Sequence, residues 1–173
     1  MKRFMVSLLA LAALAAPAFA AGSLKIDTSK NCSFVINLKP DLAPNHVAQV
    51  TKLAKAGFYD GIVFHRVITG FMAQTGDPTG TGMGGSKEPN IKGEFTQTPF
   101  VRGTVGMARS QDPDSANSQF FVMFADGSFL NGNYTVFGQV DEAGMKCVDQ
   151  IKKGAGDSGA VDGPDKMTKV TVQ

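Results

Sequence analysis

Twenty glycines and eight prolines break this chain of 173 residues into short apolar runs, and that punctuation limits the fold more than any other feature. Most runs are strand-sized, rich in Val, Ile and Phe, and bounded by turn formers. Such a pattern predicts a mostly β fold with many turns. No internal repeat, low-complexity tract or linker composition divides the chain. A single domain with a substantial core is expected.

Residues 1–20 read as a secretory signal peptide. Lys2 and Arg3 form the positive start, Val6 to Ala16 is an apolar stretch too short to span a bilayer, and Ala18-Phe19-Ala20 supplies the small-x-small cleavage signal. The cut is placed after Ala20, which leaves residues 21–173 as the working domain, exported to a periplasm or secreted. No later apolar run approaches membrane length, so no membrane association is expected after cleavage. The whole chain carries 17 Lys plus Arg against 15 Asp plus Glu; without Lys2 and Arg3 each sign numbers 15. Zero net charge argues against electrostatic binding of nucleic acid or an anionic membrane.

The periodicities place the main elements. Leu24–Asp27 and Ser33–Leu38 form an opening hairpin around Thr28-Ser29-Lys30-Asn31. A helix follows from Pro44 to Ala56, with Val47, Val50 and Ala54 on its inner face, His46 exposed and Gly57 as the left-handed cap. Ile62–Ile68 reads as a strand with Phe64 and Arg66 on one side and His65 and Val67 on the other. Phe71 to Gln74 and a Gly-rich loop from Gly76 to Lys92 follow, and further strands fall at Val101–Met107, Phe120–Phe124 and Thr135–Val140. A second helix is expected over Glu142–Lys153, ended by Gly154, before a closing strand at Val170–Val172. Cys32 and Cys147 are the only cysteines. Export permits a disulfide between them, and two small buried side chains are equally compatible with the sequence.

The chemistry concentrates in Phe64-His65-Arg66-Val67-Ile68 and Phe71-Met72-Ala73-Gln74. One permanent cation, one amide and several large apolar groups lie together, with no ready nucleophile. A guanidinium donates hydrogen bonds and accepts none. Such a set suits binding and polarisation more than bond-making. Taken alone, the run is equally a buried strand with Arg66 in an ion pair.

Two more segments separate these readings. Gly103-Thr104-Val105-Gly106-Met107-Ala108-Arg109-Ser110 leads to Ser118-Gln119-Phe120-Phe121-Val122, and Phe129-Leu130 leads through Tyr134 to Val136-Phe137-Gly138-Gln139-Val140. In combination and order, FHRVI, FMxQ, GxxxMAR, SQFF and VFGxV resemble the cyclophilin family of peptidyl-prolyl cis–trans isomerases, over nearly all of the chain after residue 24. The resemblance implies an eight-stranded antiparallel barrel capped by two α-helices, no cofactor and no metal. It implies a monomer acting on proline-containing polypeptides, here unfolded exported proteins. It also implies roles: Arg66 as the catalytic arginine, and Gln74 as the amide that bonds the substrate backbone and helps hold Arg66. Phe71, Met72, Phe121 and Leu130 would receive the proline ring. Ala108, Gln119 and Ser110 would line the adjoining groove. Arg109 stands where many members have asparagine and would contribute its backbone. Phe129 stands where many eukaryotic members have tryptophan, and Tyr134 where many have histidine. Both look like exported bacterial members, and loss of the indole donor should weaken cyclosporin binding.

Gly80-Thr81-Gly82-Met83-Gly84-Gly85 matches a dinucleotide fingerprint literally, yet no strand precedes it and Pro89 follows too soon for a helix. It reads instead as a flexible wall beside the groove. Two histidines without a tight Cys or carboxylate cluster do not make a metal site; His65 reads as structural. No G-x-S-x-G elbow supports a hydrolase. The alternative from another class is a peptide-binding chaperone whose isomerase activity is incidental.

Overall fold

A computed structural model describes residues 22–173; the signal peptide expected at 1–20 lies outside the described residues. Eight strands form one antiparallel sheet: β1 (Ser23–Thr28), β2 (Ser33–Leu38), β3 (Arg66–Ile68), β4 (Met72–Thr75), β5 (Thr104–Met107), β6 (Phe120–Met123), β7 (Val136–Val140) and β8 (Met167–Val172). Their order across the sheet is β3-β4-β6-β5-β7-β2-β1-β8. The sheet curls until Ile62–Phe64, just before β3, meets the chain entering β8. There Phe64 N–H donates to Asp165 C=O and Met167 N–H to Ile62 C=O, at 2.8 and 2.9 Å. Helix α1 (Pro44–Lys55) packs on β7 and β8, and α2 (Glu142–Val148) on β2. The mostly β expectation with two helices is met.

Inside the curl, Leu24, Ile26, Phe34, Ile36, Val67, Ala73, Val105, Phe120, Val122 and Phe137 form one apolar core. They recur at alternate positions of their strands because successive strand side chains face opposite ways.

Local details differ from the sequence reading, each for a physical reason. The expected strand Ile62–Ile68 is broken. Phe64 bonds toward β8, whereas Val67 N–H donates to Gly159 C=O at 2.7 Å. The change of partner interrupts the alternation, so Phe64 and Val67 both enter the core and Arg66 faces outward alone. Helix α2 stops at Val148 rather than Lys153. The amides that would continue it bond elsewhere: Lys152 N–H to Asp165 at 2.8 Å and Gly154 N–H to Val67 C=O at 2.8 Å. Ile151 is buried without helix.

His46 was expected on the exposed side of α1 and is fully buried. The helix turns His46, Val50, Leu53 and Ala54 inward. Ala43 gives it no side-chain cap. Glu94 supplies one from a distant loop, accepting from the Asn45 and His46 backbone N–H groups, both at 3.1 Å. A carboxylate at a helix N-terminus also complements the positive end of the dipole. The His46 ring bonds the same carboxylate through Nδ1 at 2.6 Å. Burial, outweighing Glu94, holds the His46 pKa below its ordinary value, so the ring is neutral and Nδ1–H donates.

Cys32 and Cys147 form a disulfide that ties the β1–β2 turn to α2 across 115 residues, with Cα atoms 5.8 Å apart. Closing so long a loop restricts the unfolded chain strongly. Reduction should therefore lower the free energy of unfolding by about 2–5 kcal/mol. Urea titrations with and without dithiothreitol measure this, and equal midpoints would refute it.

Candidate active site

Strands β3, β4, β6 and β5 carry core residues on one face and a second set on the other. Cross-strand register aligns Arg66 with Gln74, Gln74 with Phe121, and Phe121 with Gly106. The neighbouring row runs Ile68, Met72, Met123. On this outer face Met72, Phe100, Phe121, Met123, Leu130 and Val136 make a separate apolar cluster, with Phe71, Ala108 and Tyr134 packed against it.

The cluster floors a cavity of about 300 Å³ lined by Arg66, Phe71, Met72, Gln74, Ala108, Arg109, Phe121, Phe129, Leu130 and Tyr134. Ten of the twelve residues singled out in the sequence therefore meet at one hollow. The other two, Ser110 and Gln119, line an adjoining hollow of about 450 Å³. Phe129 lies on the rim, 70% exposed, its ring 5.4 Å from that of Phe71. A larger apolar hollow lies between α1 and β8, beside Leu38, Val47 and Val172, but its only charged lining groups are Lys52 and Lys55, so no polar set converges there. Among the described residues, no three His, Cys, Asp or Glu side chains gather as a metal set, and no helix is long and apolar enough to cross a membrane.

Polar groups beside the pocket form one chain. Arg66 Nη1 donates to Gln74 Oε1 at 3.2 Å, Gln74 Nε2 to Gln119 Oε1 at 2.9 Å, and Gln119 Nε2 to the carbonyls of Gly82 and Gly84 at 3.0 and 2.8 Å. Arg66 Nε donates to the Ser158 carbonyl at 3.0 Å. Both acceptors are neutral, which differs from the ion pair its sequence context allowed. An uncompensated cation with unused N–H groups thus borders an apolar pocket.

Arg109 does more than lend its backbone. Its guanidinium sits 4.5 Å from the Tyr134 ring centroid and donates to Asn133 C=O through Nε and Nη2, at 3.1 and 2.9 Å. It clamps the loop that carries Tyr134 to the pocket wall. Ser110 is exposed and bonds Ser115.

Two supports went unnoticed in the sequence. Gly106 completes the register row, and a Cβ there would meet Phe100 and Phe121 ring carbons, both at 2.6 Å. Its bare backbone lets those rings stack, 5.7 Å apart, beneath the pocket. Asp77 is 1% exposed and accepts from the backbone N–H groups of Thr79, Thr81, Gly82 and Gly84. The glycine-rich wall is thus wrapped round an internal carboxylate rather than hanging free. A Cβ at Gly84 would fall 2.2 Å from Asp77 Oδ1, which explains that glycine. Neither support shows in the sequence, because a missing Cβ matters only through what approaches it.

Comparisons with known proteins agree with this geometry. The family model for "Cyclophilin type peptidyl-prolyl cis-trans isomerase/CLD" matches residues 23–172. A probable peptidyl-prolyl cis-trans isomerase of Brucella suis is 55% identical over 156 residues, covering 83% of this chain and 79% of the relative. A peptidyl-prolyl cis-trans isomerase of Helicobacter pylori is 46% identical over 115 residues, 65% of this chain and 69% of the relative. Among solved structures, the cyclophilin AquaCyp293 of Hirschia baltica superposes with a TM-score of 0.76 at 28% identity, covering 86% of this chain and 73% of that one. A Cryptosporidium parvum cyclophilin-type isomerase, solved in the presence of the dipeptide Ala-Pro, gives 0.77 at 25% identity, covering 87% and 98%.

Two outcomes follow from the site. Burial alone would raise the Asp77 pKa; hydrogen bonds from Thr79, Gly84 and Gly82 overcome it and hold the carboxyl at about 2, against 3.8 ordinarily. The stabilisation is complete above 3.8 and disappears as pH falls toward 2. It amounts to roughly 2 kcal/mol. Relative to intrinsic exchange rates, protection of the Thr79–Gly84 amides should fall through that window, and Asp77→Asn should remove the dependence; constant protection in the parent protein would refute it. Separately, Phe129→Trp should tighten cyclosporin about 2- to 13-fold, because an indole N–H adds about 0.5–1.5 kcal/mol. Titration of both proteins checks this, and equal affinities would contradict it.

Proposed function

The chain belongs to the cyclophilin-type peptidyl-prolyl cis–trans isomerase family and is such an isomerase, and we propose that it speeds X–Pro rotation in exported proteins by seating the proline ring on Phe71, Met72, Phe121 and Leu130 while Arg66 donates to the prolyl nitrogen. The observation that carries this reading is the cation held by neutral acceptors at the edge of an apolar pocket.

The reaction rotates a partial double bond against a barrier of about 18–20 kcal/mol. Twisting breaks amide resonance and leaves a localised lone pair on the proline nitrogen, which the planar isomers lack. An N–H directed at that atom binds the twisted state better than either ground state, and only such differential binding accelerates the step. The apolar floor assists by withholding water from the amide, which disfavours its charge-separated resonance form. Gln74 serves twice in this reading: its Oε1 holds Arg66, and its amide bonds the substrate backbone. The exported setting rests on the residue 1–20 pattern, with cleavage after Ala20.

Arg66→Ala should reduce turnover of a prolyl peptide roughly 10- to 100-fold, the value of one charge-assisted hydrogen bond, while peptide affinity changes little. Arg66→Lys should rescue poorly, since an ammonium lacks the planar fork. Exchange spectroscopy on a short X–Pro peptide measures both, and undiminished turnover in Arg66→Ala would reject the role. Suppression of aggregation equally strong for clients without critical prolines would favour a chaperone instead.

A further inference from the structure

A carbonyl 92 residues beyond Arg66 in the chain fixes one edge of its guanidinium: Nε donates to Ser158 C=O at 3.0 Å. The turn that presents this carbonyl is stitched to the backbone on both sides of Arg66. Val67 N–H donates to Gly159 C=O at 2.7 Å, Gly154 N–H to Val67 C=O at 2.8 Å, and Val161 N–H to His65 C=O at 3.2 Å. Arg66 and Ala160 pair as an antiparallel bridge.

Glycine makes that approach possible. Gly159 is left-handed at φ +68°, and a Cβ there would lie 2.4 Å from Ile68 Cγ1 and 3.1 Å from Val67 O. A Cβ on Gly154 would lie 2.0 Å from Gly159 O. Any side chain at either position lifts the turn off the strand and carries the Ser158 carbonyl with it.

We propose that the Gly154–Ala160 turn is a positioning element for Arg66, in which the Ser158 carbonyl and the Gln74 amide together set the plane of the guanidinium. The inference rests on the reading of Arg66 as the donor to the prolyl nitrogen. Two acceptors on different N–H groups fix a planar fork where one leaves it free to swing. Because both are neutral, the hold does not cancel the positive charge, and Nη2 stays available to substrate. A donor misplaced by an ångström loses transition-state stabilisation without losing the apolar pocket that binds the ring.

The test compares Gly159→Ala with Gly61→Ala, each alone and with Arg66→Ala. Gly61 is also left-handed, at φ +83°, with nothing within 4 Å of its Cβ position, so it carries the backbone strain without the contact. Gly159→Ala should lower kcat roughly 5- to 30-fold with peptide Kd within about twofold, Gly61→Ala should keep wild-type kcat, and Gly159→Ala should add nothing in the Arg66→Ala background. Deletion of Ser158, at an exposed turn tip, should reproduce the loss if Gly159→Ala does not fold. In the parent protein the Arg66 Nε–H signal should exchange slowly with water. A crippled Arg66→Ala beside fully active Gly159→Ala and deletion variants overturns the turn's role alone. So does an equal loss in both backgrounds, or an Arg66 Nε–H exchanging as fast as that of a free arginine. Wild-type turnover in Arg66→Ala overturns the donor reading, and this proposal with it.

Discussion

The antiparallel pairing of β3, β4, β6 and β5 is the constraint on which both core and site depend. Side chains alternate across these strands, so Val67, Ala73 and Val122 enter the core while Arg66, Gln74 and Phe121 stand in one row outside it. A slip of one residue would exchange the two sets, burying a guanidinium and exposing the core. The energetic demand for a dry core therefore also specifies the register of the site and brings Arg66 to the edge of the pocket.

Polar scaffolding then fixes what the register leaves loose. The amides of Gln74 and Gln119 relay Arg66 to the carbonyls of Gly82 and Gly84, and Asp77 holds those glycines by their N–H groups. A buried carboxylate with several backbone donors is stable as an anion, because the hydrogen bonds replace the water it has lost. The same logic explains Glu94 at the start of α1, where a distant carboxylate does what Ala43 cannot. Arg66 and Arg109, both in the pocket lining, are instead held by neutral acceptors alone.

Much was legible in the residues. The strand-sized runs, the two helices and the grouping of Arg66, Gln74, Phe121 and Leu130 followed from patterns of local origin and from one family's spacing. The burial of His46 is not legible locally, because helical periodicity ranks histidine as an exposed residue and does not encode Glu94, 48 residues away. The strand through Arg66 is shorter than its β propensity predicts, because propensity does not register that Phe64 and Val67 pair with different parts of the chain. Gly106 and Gly159 carried no individual signal, since a missing Cβ matters only through what approaches it.

By itself, then, the sequence determined which segments are strands and helices, which faces are apolar, and which residue types could polarise an amide without attacking it. Those properties depend on near neighbours and on period. The tertiary structure decided that Cys32 reaches Cys147, that Asp77 rather than a phosphate fills the glycine loop, and that Ser158 offers its carbonyl to Arg66. The loop round Asp77 is a local fold; the other two are contacts between segments far apart in the chain. Such contacts are specified by the packing of the whole core, which no local pattern encodes.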